Sequence, residues 1–159
     1  MAKALHIVKK LTATGCELCK SSGGELLWHD DCCRVVMVNE ENYPGLCRVI
    51  LQDHVREMTD LEPLRRARLM QAVFATERAL RTTMEPAKVN LASLGNMTPH
   101  LHWHVIPRFA DDAHFPDAIW STPRRPGTVR SAPAPARLAG LIAELMDGMD
   151  GSMTRVRSA

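Results

Sequence analysis

Residues 100–105 alternate strictly between histidine and apolar side chains: His100, His102 and His104 with Leu101, Trp103 and Val105 in the gaps. A period of two is the signature of a strand. It predicts three imidazoles on one face and three apolar groups packed into a core on the other. Same-face neighbours on a strand lie about 6.6 Å apart, at roughly 3.3 Å per residue. Such a row can line a phosphate or hold a metal.

The other periodic stretches frame this one. Glu25–His29 and Arg34–Val38 read as two strands around a tight turn at Asp30-Asp31, and Arg48–Leu51 as a third. Lys88–Ser93 alternates as well. The Gly95-Asn96 turn signal predicts that it pairs antiparallel with Leu101–Ile106. That pairing makes residues 95–99 a loop at the mouth of the histidine face. Thr59–Thr83 reads as the one long helix. Pro63 suits its first turn, and Pro86 lies just beyond its end. Leu69 or Met70, Val73, Phe74, Leu80 and Met84 recur at helical spacing as the core stripe, and the interspersed arginines read as a solvated face. Leu138, Leu141, Ile142, Leu145 and Met149 predict a short amphipathic helix near the end. Between them, Ala110–Pro135, rich in Pro, Asp and Arg, reads as an extended arm carrying Trp120 and the Arg124-Arg125 pair. For Trp120 the readings are packing on a partner subunit, closing over the site, or anchoring the arm to its own domain. The arginine pair is read as solvated. Met1–Leu11 reads as a lead-in and Gly151–Ala159 as a frayed tail.

Composition narrows the class. A chain of 159 residues fits a single domain, with its core at about 16–109 and the arm and last helix over 110–150. The formal charge of +2 gives no argument for nucleic acid or a membrane surface. No basic segment followed by an apolar run opens the chain, and no apolar run is long enough to span a bilayer. The expectation is therefore a cytoplasmic protein. The five cysteines, an odd number without a secretory signal, argue against a disulfide framework. Cys16-Glu17-Leu18-Cys19 places two thiols within reach of one metal ion, and the usual partners are two further Cys or His. No strand pattern precedes it, so a redox motif is disfavoured.

The stretch His100–Ile106 resembles the signature of the histidine triad (HIT) superfamily, in which three histidines alternate with apolar residues. Cys16-x-x-Cys19 resembles the cysteine pair of the zinc-bearing bacterial members. Pro44–His54 is similar to a P-G-H-T-L-V-I-P-K-x-H stretch, and Asn90–Asn96 to the segment leading into the triad. Leu46 stands where that pattern has histidine, and Leu51-Gln52 where it has Pro-Lys. The resemblance implies an α+β HIT-like fold, with an antiparallel sheet of about five strands, one long helix and a C-terminal helix. It implies a homodimer across which the sheet can continue. It further implies a purine nucleotide substrate and a hydrolase acting at the α-phosphorus of a nucleoside phosphoramidate or dinucleoside polyphosphate. His102 would be the nucleophile, with His104 and His100 completing the triad. Asn90, Asn96 and Asn39 would contact substrate. Cys16, Cys19, His54 and His100 would hold a structural zinc, and no catalytic metal is required. A nucleotidyl transferase and a nucleotide-binding module without turnover are the alternatives. A catalytic zinc on all three triad histidines is disfavoured, because ligands about 6.6 Å apart on one strand cannot converge on bonds of about 2.0–2.1 Å.

Overall fold

The computed structural model describes residues 12–156, with side chains through residue 149. The lead-in expected for Met1–Leu11 and the last three residues of the expected tail lie outside this range. Five strands form one antiparallel sheet: β1 (Glu25–His29), β2 (Cys33–Met37), β3 (Cys47–Leu51), β4 (Lys88–Ala92) and β5 (His102–Arg108). Their spatial order is β1-β2-β3-β5-β4, so the last strand inserts between β3 and β4. Each lies within two residues of its expected place. Three helices accompany them: α1 (Glu17–Lys20), α2 (Pro63–Met84) and α3 (Pro135–Val156).

Alternation divides the sheet into two chemically different faces. Cys33, Val35, Cys47, Val49, Leu51 and Val105 point to one side and pack with Leu69, Ala72, Val73, Ala79 and Leu80 of α2 in the main core. Leu138, Ile142 and Met146 of α3, spaced by four, join the same core. The opposite face carries Arg34, Arg48, His102 and His104. Two small apolar clusters sit on it, one of Leu18, Val36 and Ile50 and one of Tyr43, Leu46 and Ile106.

The long helix begins later than its pattern suggests. Residues 58–60 form a separate 3-10 turn, and α2 starts at Pro63, whose missing N–H costs nothing in a first turn. It stops at Met84. Glu85 takes a left-handed conformation at φ 47° and its N–H bonds the Arg81 carbonyl, while Pro86 blocks continuation. Phe74 does not belong to the buried stripe; it is 49% exposed, and alanines 72, 75 and 79 make the close approach to the sheet instead. Two of the helix arginines also depart from a purely solvated face. Arg65 pairs with Asp53 and Arg68 with Asp30, each at 2.7 Å, tying α2 to loops at the sheet edge. The C-terminal helix is longer than expected and runs through most of the presumed frayed tail.

Residues 110–134 contain no regular element, yet they are pinned. Buried Arg108 donates through Nε and Nη2 to both carboxylate oxygens of Asp112, at 2.7 and 3.0 Å. Asp112 also accepts the N–H groups of Phe109, His114 and Phe115. Arg125 donates to the carbonyls of Ala110, Asp112 and Phe115, and Arg124 pairs with Asp117. The Arg124-Arg125 pair is exposed, as expected, and at the same time knits the arm. Tyr43 and His114 bond each other in the same buried corner.

Candidate functional site

The triad histidines are all buried, but they do not form one row. The strand proper begins at His102, and His100 precedes it in a bend. Two backbone bonds hold that bend against the loop after β3, from Leu101 N–H to the Val55 carbonyl at 2.7 Å and from Leu51 N–H to the Leu101 carbonyl at 3.1 Å. His100 is thereby turned toward His54, ring centroids 5.2 Å apart, whereas His102 faces His104 at 5.0 Å.

His100 belongs to a four-donor cluster. One ligand atom each from Cys16, Cys19, His54 and His100 lies within 4.8 Å of the others. Nδ1 of His100 is 3.4 Å from Cys16 Sγ and 3.5 Å from Cys19 Sγ, and Nδ1 of His54 is 3.5 Å from Cys19 Sγ. A tetrahedron with metal–sulfur bonds of about 2.3 Å and metal–nitrogen bonds of about 2.05 Å has S···N edges of about 3.5 Å. The three sulfur–nitrogen distances given above match that edge. His100 donates its Nε2–H to the Leu51 carbonyl at 2.8 Å, which leaves Nδ1 unprotonated toward the sulfurs. Arg34 props the loop from below. Its guanidinium reaches the carbonyls of Leu18, Ser21 and Ser22 and the side chain of Gln52.

His102 is oriented by its neighbour. Its Nδ1–H donates to the His100 carbonyl at 2.6 Å. A carbonyl only accepts, so the proton is on Nδ1 and the lone pair is on Nε2. Ser93 braces the backbone of His102 itself by donating to the His102 carbonyl at 2.9 Å. Burial lowers the His102 pKa; the bond to the His100 carbonyl opposes this and the charge of Arg48 reinforces it. His104 is pushed down to about 4, first by burial and then by His102 and Arg48. The edge of Trp120 meets the His104 ring, centroids 5.3 Å apart, so the arm folds back over the triad.

The asparagines are less concentrated. The Asn90 side-chain oxygen accepts from Arg108 Nη1 at 2.6 Å, beside the arm. Asn96 is exposed and lines a cleft of about 370 Å³ with Arg56, Glu57, Leu94, Gly95 and Pro99. Asn39 lines a different cavity, of about 540 Å³, with Met37, Val38, Glu40, Pro44 and Arg130 among its walls. Three groups at the site went unread in sequence: Arg34, Arg48 and the Arg108–Asp112 pair. Arg34 and Arg48 sit inside apolar strand runs, where one charge per strand carries no signal until the faces are assigned. Arg108 and Asp112 are four apart in a segment with no helical pattern, so nothing marks them as partners.

The HIT domain family model matches residues 20–111. The chain belongs to the HIT domain family. Among curated relatives of this HIT-domain protein, the AP-4-A phosphorylase of Mycobacterium tuberculosis is 32% identical over 78 residues, 45% of this chain and 40% of the relative. The match thus spans about two fifths of that relative's length. Solved HIT proteins share the fold. One is a histidine triad protein from Bradyrhizobium japonicum, with a TM-score of 0.63 and 23% identity over 86% of this chain and 96% of that one. Another is a zinc-bound histidine triad family protein from Mycobacterium smegmatis, with a TM-score of 0.54 and 20% identity over 87% and 97%. The expectation of a HIT-like α+β fold is met in strand number, in the antiparallel pairing of β4 with β5 and in helix placement.

Proposed function

We propose that this HIT-domain protein is a nucleotide hydrolase that cleaves at the α-phosphorus of a nucleoside phosphoramidate or dinucleoside polyphosphate, with a purine nucleotide as the bound moiety. The observation that carries the reading is the 2.6 Å bond from His102 Nδ1 to the His100 carbonyl, which leaves Nε2 of a buried, neutral imidazole free to attack. In the first step the Nε2–phosphorus bond forms as the bond to the leaving amine or phosphate breaks. In the second, water attacks phosphorus, the nucleoside monophosphate departs and His102 is restored. His104 donates a neutral N–H to a phosphate oxygen. Asn96 and Asn39 contact substrate from the two clefts, and Asn90 acts from beside Arg108. Splitting one displacement into two, with hydrogen-bond donors fixed in advance, is the general logic of such transfer.

Cys16, Cys19, His54 and His100 hold a structural zinc in this reading, supported by the size of the donor set and by the zinc-bound relative. The ion supplies a closed four-coordinate brace for the loop that carries His100. The protein works as a cytoplasmic homodimer, a state that sedimentation measures directly. The deciding experiment is intact mass measurement after brief, acid-free quenching with an adenosine phosphoramidate. An added nucleotidyl mass on wild type and none on His102→Ala is expected. Absence of both adduct and amine release, with nucleotide still bound, would sink the hydrolase reading in favour of a binding module.

One specific observation favours a second acceptor. The M. tuberculosis relative is named a phosphorylase, and its similarity of 32% over 78 residues makes phosphate a candidate in place of water. Product analysis in phosphate buffer separates the two, since phosphorolysis yields a nucleoside diphosphate and hydrolysis a monophosphate.

A further inference from the structure

Three arginines lie on the histidine side of the sheet, and two of them are fully engaged. Arg34 is spent on the carbonyls of the cysteine loop. Arg108 is spent on Asp112, Asn90 and the Asp117 carbonyl. Arg48 differs. It lies on β3 directly across from His104 in the β3–β5 register, and across from apolar Val36 on β2. Directly opposed residues of an antiparallel pair have Cβ atoms about 4.5–5.5 Å apart on the same face. On its other side His104 opposes Ala92, which offers no polar group. The Arg48 Nε is buried and has no hydrogen-bond partner among the described residues. A half-buried guanidinium with a dry, unpaired N–H is an unfavourable arrangement by itself, because desolvation of a charged donor is not offset. It becomes favourable when an anion arrives.

We propose that Arg48 is a substrate-binding residue of this site, donating to a non-bridging oxygen of the phosphate held at His104. The assignment rests on the nucleotide reading above and deepens it. The site needs this cation, since His104 is neutral at pH 7 and the nucleophile must be neutral to attack. Neither ring offsets the charge of a phosphate. A guanidinium fork can meet two phosphate oxygens with parallel N–H bonds, a planar geometry that a lysine ammonium lacks. Arg48 therefore acts on the phosphate and leaves the nucleoside untouched.

The test is calorimetric binding of adenosine 5′-monophosphate and of adenosine to wild type, Arg48→Gln and Arg48→Lys. A hydrogen bond to a charged group contributes about 1.5–3 kcal/mol, equivalent to a loss of roughly 10- to 150-fold. That loss is expected for the monophosphate with Arg48→Gln, with adenosine binding unchanged and Arg48→Lys intermediate. If Arg48→Gln does not fold, the Lys variant carries the same comparison. Equal losses for the two ligands, or an unchanged monophosphate affinity, overturn the assignment. Inorganic pyrophosphate separates it from the nucleotide reading. Wild type that binds pyrophosphate through Arg48 but neither nucleoside ligand keeps the assignment and ends the nucleotide reading. Wild type that binds none of the three ends both.

Discussion

Replacing Asp112 by Asn tests whether the arm is fixed by charge. Burial by itself would raise the Asp112 pKa, but the Arg108 guanidinium and three backbone N–H groups outweigh it and bring it down from 3.8 to about 2. Each pKa unit corresponds to about 1.4 kcal/mol, so the ionised carboxylate contributes roughly 2 kcal/mol to folding. The native pKa lies below the unfolded one. The contribution is therefore complete above about pH 4 and is lost as the pH falls toward 2. Asn resembles the protonated acid in shape and lacks the charge. Urea unfolding of wild type and Asp112→Asn should differ by at least about 2 kcal/mol at pH 7, since the variant also leaves buried Arg108 without its counter-charge. The gap should narrow steadily between pH 4 and pH 2. Comparing two variants at each pH cancels the titration of every group they share. A gap of the same size at pH 7 and pH 2.5 would refute the electrostatic account and point to packing alone.

Other outcomes follow from burial and close approach. Gly24→Ala would bring a Cβ to 2.5 Å from the Met37 carbonyl oxygen, so β1 must shift on β2; a loss of more than about 1 kcal/mol in denaturant unfolding is expected. Leu138→Ala removes a fully buried side chain from the seam between α3 and the core and should cost about 2–5 kcal/mol, read by the same method. Cys47 is fully buried and its thiol is pushed up to about 12 by burial, so iodoacetamide should leave it unmodified in the native protein. Cys16 and Cys19 should resist alkylation when zinc is supplied and react after a chelator is added, as peptide mass mapping would show.

The strands were legible in two ways. Lys88–Ala92 and His102–Arg108 appear where period-two alternation places them, whereas Cys33–Met37 and Cys47–Leu51, buried on both faces, showed as short apolar runs. The four-donor cluster was reachable only through resemblance, since Cys16 and His100 are 84 residues apart and meet through the loop after β3. The helix start was misread because Thr59–Leu61 is compatible with helix, and the 3-10 turn is decided by tertiary contacts such as buried Leu61. Phe74 was misplaced because helical spacing alone does not tell a core edge from a solvent edge, and small alanines gave the better fit against the sheet. The ordering of the arm depended on pairings such as Arg130 with Asp111, which no periodicity encodes. Trp120 could be singled out but not placed. Its contact with His104 depends on the whole arm folding back.

The two faces of β5 give the strand a parity. Odd positions 101, 103 and 105 point toward the helices, and even positions 102, 104 and 106 point toward the site. Tolerance to substitution should follow this parity, with odd changes read out as folding defects and even changes as defects of binding or turnover. A one-residue deletion between 102 and 106 would do neither in isolation. It would exchange the two sets over part of the strand, forcing imidazole into the core and apolar side chains into the site. Parity thus confines a point change to one of the two kinds of damage, whereas an odd change in length inflicts both.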